Sequence, residues 1–241
     1  MNVKKVKNRG ILFTFHDLGI PTNVYIIQGE RYIYIIDTYL GPDIMKSVNQ
    51  YRVDLFGDKQ IIVVNTHSHW DHVWGNSLYS SSFIIAHEKC KKYMQQYGIE
   101  ALEEYGKYRK GEVIITYPNL TFTNKIFFEE DSVLIYHTPG HTDDGISVLD
   151  MKDKVLFAGD NLERPIPYLM SKDLNQYMST LENYLKIDAD IIIGGHTDCE
   201  DKDLVRDNLD YVKKVIAGET IEMKAKEFEE YHKTNIAWLN Q

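Results

Sequence analysis

The sequence predicts an α/β fold built from two similar halves, and three observations carry that prediction. Short apolar runs of strand length recur along the chain; in each half a set of them precedes a helix-patterned segment and another follows it; no Pro-, Gly- or Ser-rich linker divides the halves. With 241 residues, 43% of them hydrophobic and 12% aromatic, the chain can bury a substantial core. The missing linker argues for one domain over residues 1–241, two layers sharing that core.

The first half begins with short strands between residues 11 and 40, where Asn23–Ile27 and Tyr32–Ile36 flank a hairpin connection at Gln28-Gly29-Glu30-Arg31. Asp37 closes the second of these. Gly41-Pro42-Asp43 then starts a helix whose buried face is predicted to carry Ile44, Val48, Tyr51 and Leu55. A strand over 61–65 follows, and strand–helix–strand implies a right-handed crossover that releases the chain at the carboxyl edge of a sheet. Phe83–Ala86 reads as the next strand. From Glu88 to about Arg109 the pattern is helical, polar and Tyr-rich, with Gly98 and Gly106 as breaks. That segment reads either as a cover near the cleft or as a solvated insertion.

In the second half, strands are predicted near 113–116, 126–128, 133–137, 146–150 and 154–158, with a turn at Asp150–Asp153. A helix from Asp173 to about Lys186 places Leu174, Tyr177, Met178, Leu181 and Leu185 on one face, and Ile191–Ile193 is a further buried strand. After Asp201 the chain turns helical again, with Leu204, Val205, Leu209, Val212 and Ile216 apolar and Gly218 as the stop.

Composition narrows the function classes. Lys plus Arg number 27 against 36 Asp plus Glu, and the net charge of −9 opposes nucleic acid and anionic membrane surfaces. No run approaches the roughly 18 apolar residues of a membrane span. His16 and Asp17 interrupt the apolar start, so a signal peptide is not expected. Two cysteines, Cys90 and Cys199, support no disulfide framework, and the cytoplasm is the simplest compartment. Cys199 reads as a packing residue. A small molecule is the expected partner, and a homodimer is left open.

The chemistry gathers at Thr66-His67-Ser68-His69-Trp70-Asp71-His72, which follows the apolar run Ile61–Val64 directly. In an extended segment His67 and His69 project to the same side, and Asp71 and His72 turn back as a helix begins. Such a cluster holds one metal or two. Three more candidates stand at strand ends beside glycine: His141 after Gly140, Asp160 after Gly159, and His196 after Gly194-Gly195. Glycine lets backbone pass close to a metal site where a side chain would obstruct it. His16, His87, His137 and His232 lack that context and are expected to be structural, with His137 the one placed to support a ligand.

His67-Ser68-His69-Trp70-Asp71-His72, followed in order by Pro139-Gly140-His141-Thr142, Gly159-Asp160 and Gly195-His196, resembles the metallo-β-lactamase superfamily. Asn23-Val24-Tyr25, Ile36-Asp37-Thr38 and Gly75-Asn76 extend the likeness over about 23–198. The resemblance implies an αβ/βα sandwich of four layers with a dinuclear centre on one edge. It implies His67, His69 and His141 on a first metal, Asp71, His72 and His196 on a second, and Asp160 between them. Zinc is the family's usual metal, with iron or manganese as alternatives. The function implied is a dinuclear metal-dependent hydrolase, which uses a metal-bridging hydroxide to open an ester, thioester or lactone in a small molecule. Asp71 is then either the proton shuttle or purely a ligand.

Trp70, Trp74, Glu163, Arg164, Ile166 and Tyr168 flank the motif or follow Asp160 and are the candidate substrate wall, with Pro165 and Pro167 stiffening the loop. Trp74, Arg164 and Tyr168 are the expected substrate contacts, Arg164 or Tyr168 stabilising an anionic intermediate. Branches of the family fit unequally. Only 45 residues follow His196, too few for the helical domain of a glyoxalase II, and the Tyr usual close behind the bridging Asp in homoserine lactonases has its nearest counterpart at Tyr168. The alternatives kept are a mononuclear iron oxygenase of the persulfide dioxygenase type, β-lactam hydrolysis as a side activity, and a binding protein that retains the site without turnover.

Overall fold

Two sheets and the helices outside them make up the computed structural model, which describes residues 1–222 and 225–240. Strands β1 (Asn2–Val6), β2 (Gly10–Phe15), β3 (Thr22–Gln28) and β4 (Ile33–Ile36) form an antiparallel meander. Helix α1 (Pro42–Phe56) then crosses to β5 (Ile61–Val64), which pairs parallel with β4. The short helix α2 (Trp70–Val73) and a 3-10 turn over Trp74–Tyr79 lead to β6 (Phe83–His87), and β7 (Leu120–Phe122) adds a parallel edge after helix α3 (Glu88–Tyr105).

The second sheet repeats this plan. Strands β8 (Lys125–Phe128), β9 (Val133–His137), β10 (Ile146–Asp150) and β11 (Val155–Phe157) are antiparallel. Helix α4 (Leu174–Lys186) crosses to β12 (Ile191–Ile193), parallel to β11, with β13 (Cys199–Glu200) at the edge. Helices α5 (Lys202–Ala217) and α6 (Lys226–Leu239) complete the chain. Asp201 caps α5 by accepting from the Asp203 N–H, and Gly218 ends it in the left-handed conformation, φ 67°.

Side-chain alternation explains why both sheets read as continuous apolar runs. Tyr25, Ile27, Tyr34 and Ile36 face Val133, Ile135, Val148 and Phe157 in the layer between the sheets. Their neighbours Val24, Ile26, Ile33 and Ile35 point the other way, onto α1 and α3. The outer face of the second sheet packs Leu149, Leu156 and Ile192 on Tyr177 and Leu181 of α4 and Leu204 and Val212 of α5. Helices therefore cover both sheets from outside, giving the four layers of the αβ/βα sandwich.

At the strand ends opposite the edge that carries the His/Asp motif, polar turns lock the halves together. Arg9 makes a buried two-point contact with Asp150, 2.9 Å through Nε and 2.5 Å through Nη2, and donates to the Asp131 carbonyl at 2.7 Å. Asp153 accepts from the backbone of Asn8 and Arg9 at 2.8 and 2.9 Å.

Three expectations change. Residues 113–116 form no strand: the alternation of Val113, Ile115 and Tyr117 is real, but those side chains pack on the helical side of the first sheet, and the strand starts only at Leu120. At Gly98 an added Cβ would meet Ile115 at an ordinary contact distance of 3.4 Å, and α3 runs through the glycine unbroken. In α1 the buried stripe is Met45, Val48 and Arg52, while Tyr51 and Leu55 are exposed. The Arg52 stem is buried and its head donates to the Gly57 carbonyl at 3.1 Å, turning the helix past the face its apolar spacing suggests. Strands β1 and β13 and helix α6 were not separable from their polar surroundings in the sequence.

Candidate metal centre

Four chain breaks at one sheet edge build the site. The chain leaves β5 in an extended run through His67 and His69, then turns into α2, which carries Asp71 and His72. The loops after β9, β11 and β12 supply His141, Asp160 and His196. His67, His69, His141 and Asp160 form one group whose donor atoms all lie within 4.8 Å of one another, and Asp71, His72 and His196 form a second.

Asp160 joins the groups. Its Oδ2 lies 3.5 Å from His67 Nε2, 3.8 Å from His141 Nε2 and 3.3 Å from His196 Nε2, and its Oδ1 lies 3.4 Å from His72 Nε2. His69 Nδ1 and His141 Nε2 are 3.3 Å apart, and Asp71 Oδ2 is 3.4 Å from His196 Nε2. Tetrahedral coordination with bonds of 2.0–2.1 Å spaces neighbouring donors by roughly 3.4 Å. His67 Nε2, His72 Nε2 and Asp160 Oδ1 are fully buried and lack a hydrogen-bond partner. Buried polar atoms in proteins are usually paired. The Tyr25, Tyr79 and Tyr136 hydroxyls, Thr142 Oγ1 and the Asp144 carboxylate are unpaired here too, but only the His67, His72 and Asp160 atoms belong to the two ligand groups, and that donor set fits divalent metal ions.

Neighbouring side chains and backbone carbonyls fix the orientation of four of the five histidines. Asp37 is buried in the left-handed region, φ 62°, and accepts from the Thr66 N–H at 2.7 Å, the Thr66 hydroxyl at 2.7 Å and His72 Nδ1 at 2.8 Å. Thr66 Oγ1 lies 3.0 Å from His67 Nδ1. His141 Nδ1 donates to the Tyr168 carbonyl at 2.9 Å, and its backbone N–H donates to Asn161 Oδ1 at 2.8 Å. His196 Nδ1 donates to the Pro21 carbonyl at 2.8 Å. Each outer nitrogen being held, the opposite nitrogen turns to the centre. At Gly195 an added Cβ would lie 2.1 Å from Asp160 Oδ1, which is why backbone without a side chain passes there.

The charges divide along the same lines. Burial holds the His67 and His69 imidazoles below their ordinary range and pushes His141 down to about 4. Burial acts the same way on His72 and His196, but Asp160 and Asp71 overcome it, raising His72 well up and His196 to about 10. Burial pushes Asp71 up, yet the neighbouring His72 and His196 win and hold it at about 2. Glu163 rises to about 8 through burial and the charge of Asp160.

A cavity of about 1300 Å³ opens in front of the ligands and is bordered by His69, Asp71, His141, Asp160 and His196. Tyr168, Trp70 and Glu163 also line it. Trp74 lines it too but is buried, belonging as much to the core behind α2. Ile166 is packed among α4 and α5. Arg164 does not reach the cavity: its guanidinium pairs with Asp207 and, at 3.3 Å, with Glu200, because these two acids on the outer surface lie nearer than any group in the site. His137 supports no ligand either. It hydrogen-bonds with the Asp143 carbonyl at 3.0 Å and stacks on His87, centroids 3.9 Å apart. The orienting roles of Asp37, of Asn161 and of Asn235, which accepts from the Leu169 N–H and donates to the Pro167 carbonyl beside Tyr168, are not marked in the sequence; Asp37 is marked only as the end of a strand.

Two sheets with outer helices and two His/Asp groups on one edge define a metal-site protein of the αβ/βα class. Comparison with known proteins takes this further: the profile of the metallo-beta-lactamase superfamily matches residues 18–196, and the chain belongs to that family. A type 2 metallo-beta-lactamase of Elizabethkingia meningoseptica is 23% identical over 225 residues, 88% of this chain and 85% of that protein. The chain is 26% identical to a hydroxyacylglutathione hydrolase of Francisella philomiragia, over 69% of this chain and 59% of the relative. An acyl-coenzyme A thioesterase of Bos taurus is 23% identical over 72% and 70%. The solved metallo-beta-lactamase of Pontibacter korlensis superposes with a TM-score of 0.71 at 17% identity, over 88% of this chain and 98% of that one, which establishes the shared fold.

Proposed function

We propose that the protein is a dinuclear metal-dependent hydrolase, with zinc as its metal, that cleaves an ester, thioester or lactone in a small molecule. The observation that carries this reading is Asp160, whose two carboxylate oxygens reach both ligand groups at 3.3–3.8 Å. His67, His69 and His141 would hold one ion and Asp71, His72 and His196 the other. Bound there, the ions supply Lewis acidity and bring the pKa of a water close to neutrality.

The chain's own residues do the rest. Asp71 borders the cavity, so its carboxylate is placed to take the proton released when water becomes the nucleophile. Tyr168 borders the cavity with its phenol kept protonated by burial, so it is placed to donate towards an oxyanion. The similarity to an acyl-coenzyme A thioesterase and a hydroxyacylglutathione hydrolase supports the bond class.

Metal analysis of the purified protein, with a panel of lactones, thioesters, β-lactams and phosphodiesters, tests the reading. About two zinc per chain and oxygen-independent hydrolysis are expected, with His69→Ala and Asp160→Asn each lowering kcat/KM at least a hundredfold. One iron per chain and oxygen consumption would favour the persulfide dioxygenase reading. Full activity after both replacements would overturn the mechanism.

A further inference from the structure

The cavity continues well beyond the metal ligands, and what lines its far part points to the substrate. Its 1300 Å³ exceeds the roughly 300–1,000 Å³ of ordinary small-molecule sites and far exceeds what an ester group fills. An aromatic wall begins at the ligands themselves. Trp70, between His69 and Asp71 in the chain, stacks on Tyr105 at 4.9 Å and 7° and on Tyr108 at 5.7 Å and 16°. Tyr105 ends α3 and Tyr108 lies in the turn that follows, so α3 and its exit roof this side of the cavity. At the rim, Ile20, Tyr97 and Met170 are 38, 50 and 43% exposed, large apolar side chains kept in water around an opening.

The cations near this wall are engaged or peripheral: Lys107 has its Nζ 4.9 Å from the Tyr108 ring centroid but is exposed and does not line the cavity. Lys89 Nζ is bound to Asp143 at 2.8 Å. Lys172 is exposed at the rim, its Nζ 5.8 Å from the Trp238 ring centroid. Arg164 faces away, as described above. An anionic tail would thus find no free buried cation among the described residues lining the cavity, whereas an apolar tail finds a continuous surface.

We propose that the substrate carries a long, uncharged acyl or aryl group that lies along the Trp70–Tyr105–Tyr108 wall beneath α3, with its scissile carbonyl at the ligand edge. This rests on the hydrolase reading above. Binding along the wall removes methylenes from water one after another, so each added carbon should raise kcat/KM about fourfold until the wall is filled. A carboxylate at the end of the chain should abolish that gain.

The test is a series of 4-nitrophenyl esters from two to twelve carbons, with matched ω-carboxylate esters, on the zinc-loaded protein. Binding of acetamide, hexanamide and decanamide, read by tryptophan fluorescence, runs beside it and needs no turnover. Expected are a rise of at least a hundredfold across the esters, at least tenfold discrimination against the ω-carboxylates of the longer chains, and decanamide binding at least a hundredfold tighter than acetamide. Tyr105→Ala should flatten both series at least threefold, and Tyr97→Gln, an exposed rim substitution that the fold tolerates, should weaken decanamide severalfold. Esters cleaved with no chain-length dependence and no preferential decanamide binding would overturn the inference while leaving the hydrolase standing. Chain-length-dependent amide binding that Tyr105→Ala weakens, with no ester, thioester or lactone cleaved, would uphold the cavity assignment and sink the hydrolase.

Discussion

Replacing Asp37 separates the orientation of a ligand from the stability of the fold. Its carboxylate accepts from two Thr66 donors and from His72 Nδ1, all within 2.8 Å, in a fully buried position. In Asp37→Asn the backbone is kept, because Asn tolerates the left-handed φ of 62°. The amide, however, offers one acceptor where three donors converge. If its NH₂ faces His72, Nδ1 must accept instead, which leaves Nε2 protonated towards the centre. If it faces the Thr66 N–H, two donors collide.

Loss of such an orienting group typically costs 10–100-fold in metal affinity, about 1.4–2.7 kcal/mol. Asp37→Ala adds about 1–3 kcal/mol for each buried donor left unpaired and keeps the left-handed φ without the side-chain hydrogen bonds that accompany it in Asp. Against a usual total of about 5–15 kcal/mol, that threatens folding itself. Competition with a chromophoric chelator should show Asp37→Asn weakened by 10–100-fold at the ion held by His72, with a cooperative melt retained. Two ions bound as tightly as in the unsubstituted protein would refute the argument.

Helix α6 lies outside the family match yet reaches the ligands through Asn235, which donates to the Pro167 carbonyl and accepts from the Leu169 N–H, on either side of the Tyr168 carbonyl that His141 uses. Asn235→Ala should therefore weaken metal binding severalfold and lower the melting temperature, both measured on one preparation; unchanged affinity would show that the loop holds itself. Asp153 accepts three hydrogen bonds from Asn8 and Arg9, which overcome the upward push of burial and keep its pKa below 3.8. A depressed carboxylate contributes its stability fully above the unfolded value of about 3.8 and loses it as pH falls through the lower folded value. Urea unfolding from pH 7 to pH 2 should accordingly show a weaker acid-side decline in Asp153→Asn than in the parent. Arg164→Ala should leave kcat/KM within twofold and stability within about 1 kcal/mol, since its two partners are partly exposed acids; a tenfold loss would return it to the substrate wall.

How far the sequence could be read depended on whether a feature was local. The strand over Ile61–Val64 and the ligands after it are legible because an apolar run, a break and a histidine spacing all occur within a dozen residues. Helix α5 is legible for the same reason, with an apolar face from Leu204 to Val212 and a Gly stop, although Ile216 of the expected face is exposed. The strand expected near 113–116 misled because alternation reports that one side of a segment is covered, not that its backbone is paired. The face of α1 misled because a buried Arg52 carries no apolar signal.

What the sequence by itself determined was an α/β fold of two similar halves and the residue types at four strand ends, since both follow from short-range patterning and from glycine beside a ligand; the αβ/βα sandwich entered through the family resemblance. What only the tertiary structure decided was their use. Asp160 stands between two ligand groups because the sheets close on a shared core. Asp37, Tyr168 and Asn235 orient ligands from distant parts of the chain, α3 becomes the roof of an apolar cavity, and Arg164 turns to Asp207 and Glu200. A side chain's direction depends on which partners packing brings within about 3 Å, and partners a hundred residues away leave no period in the sequence.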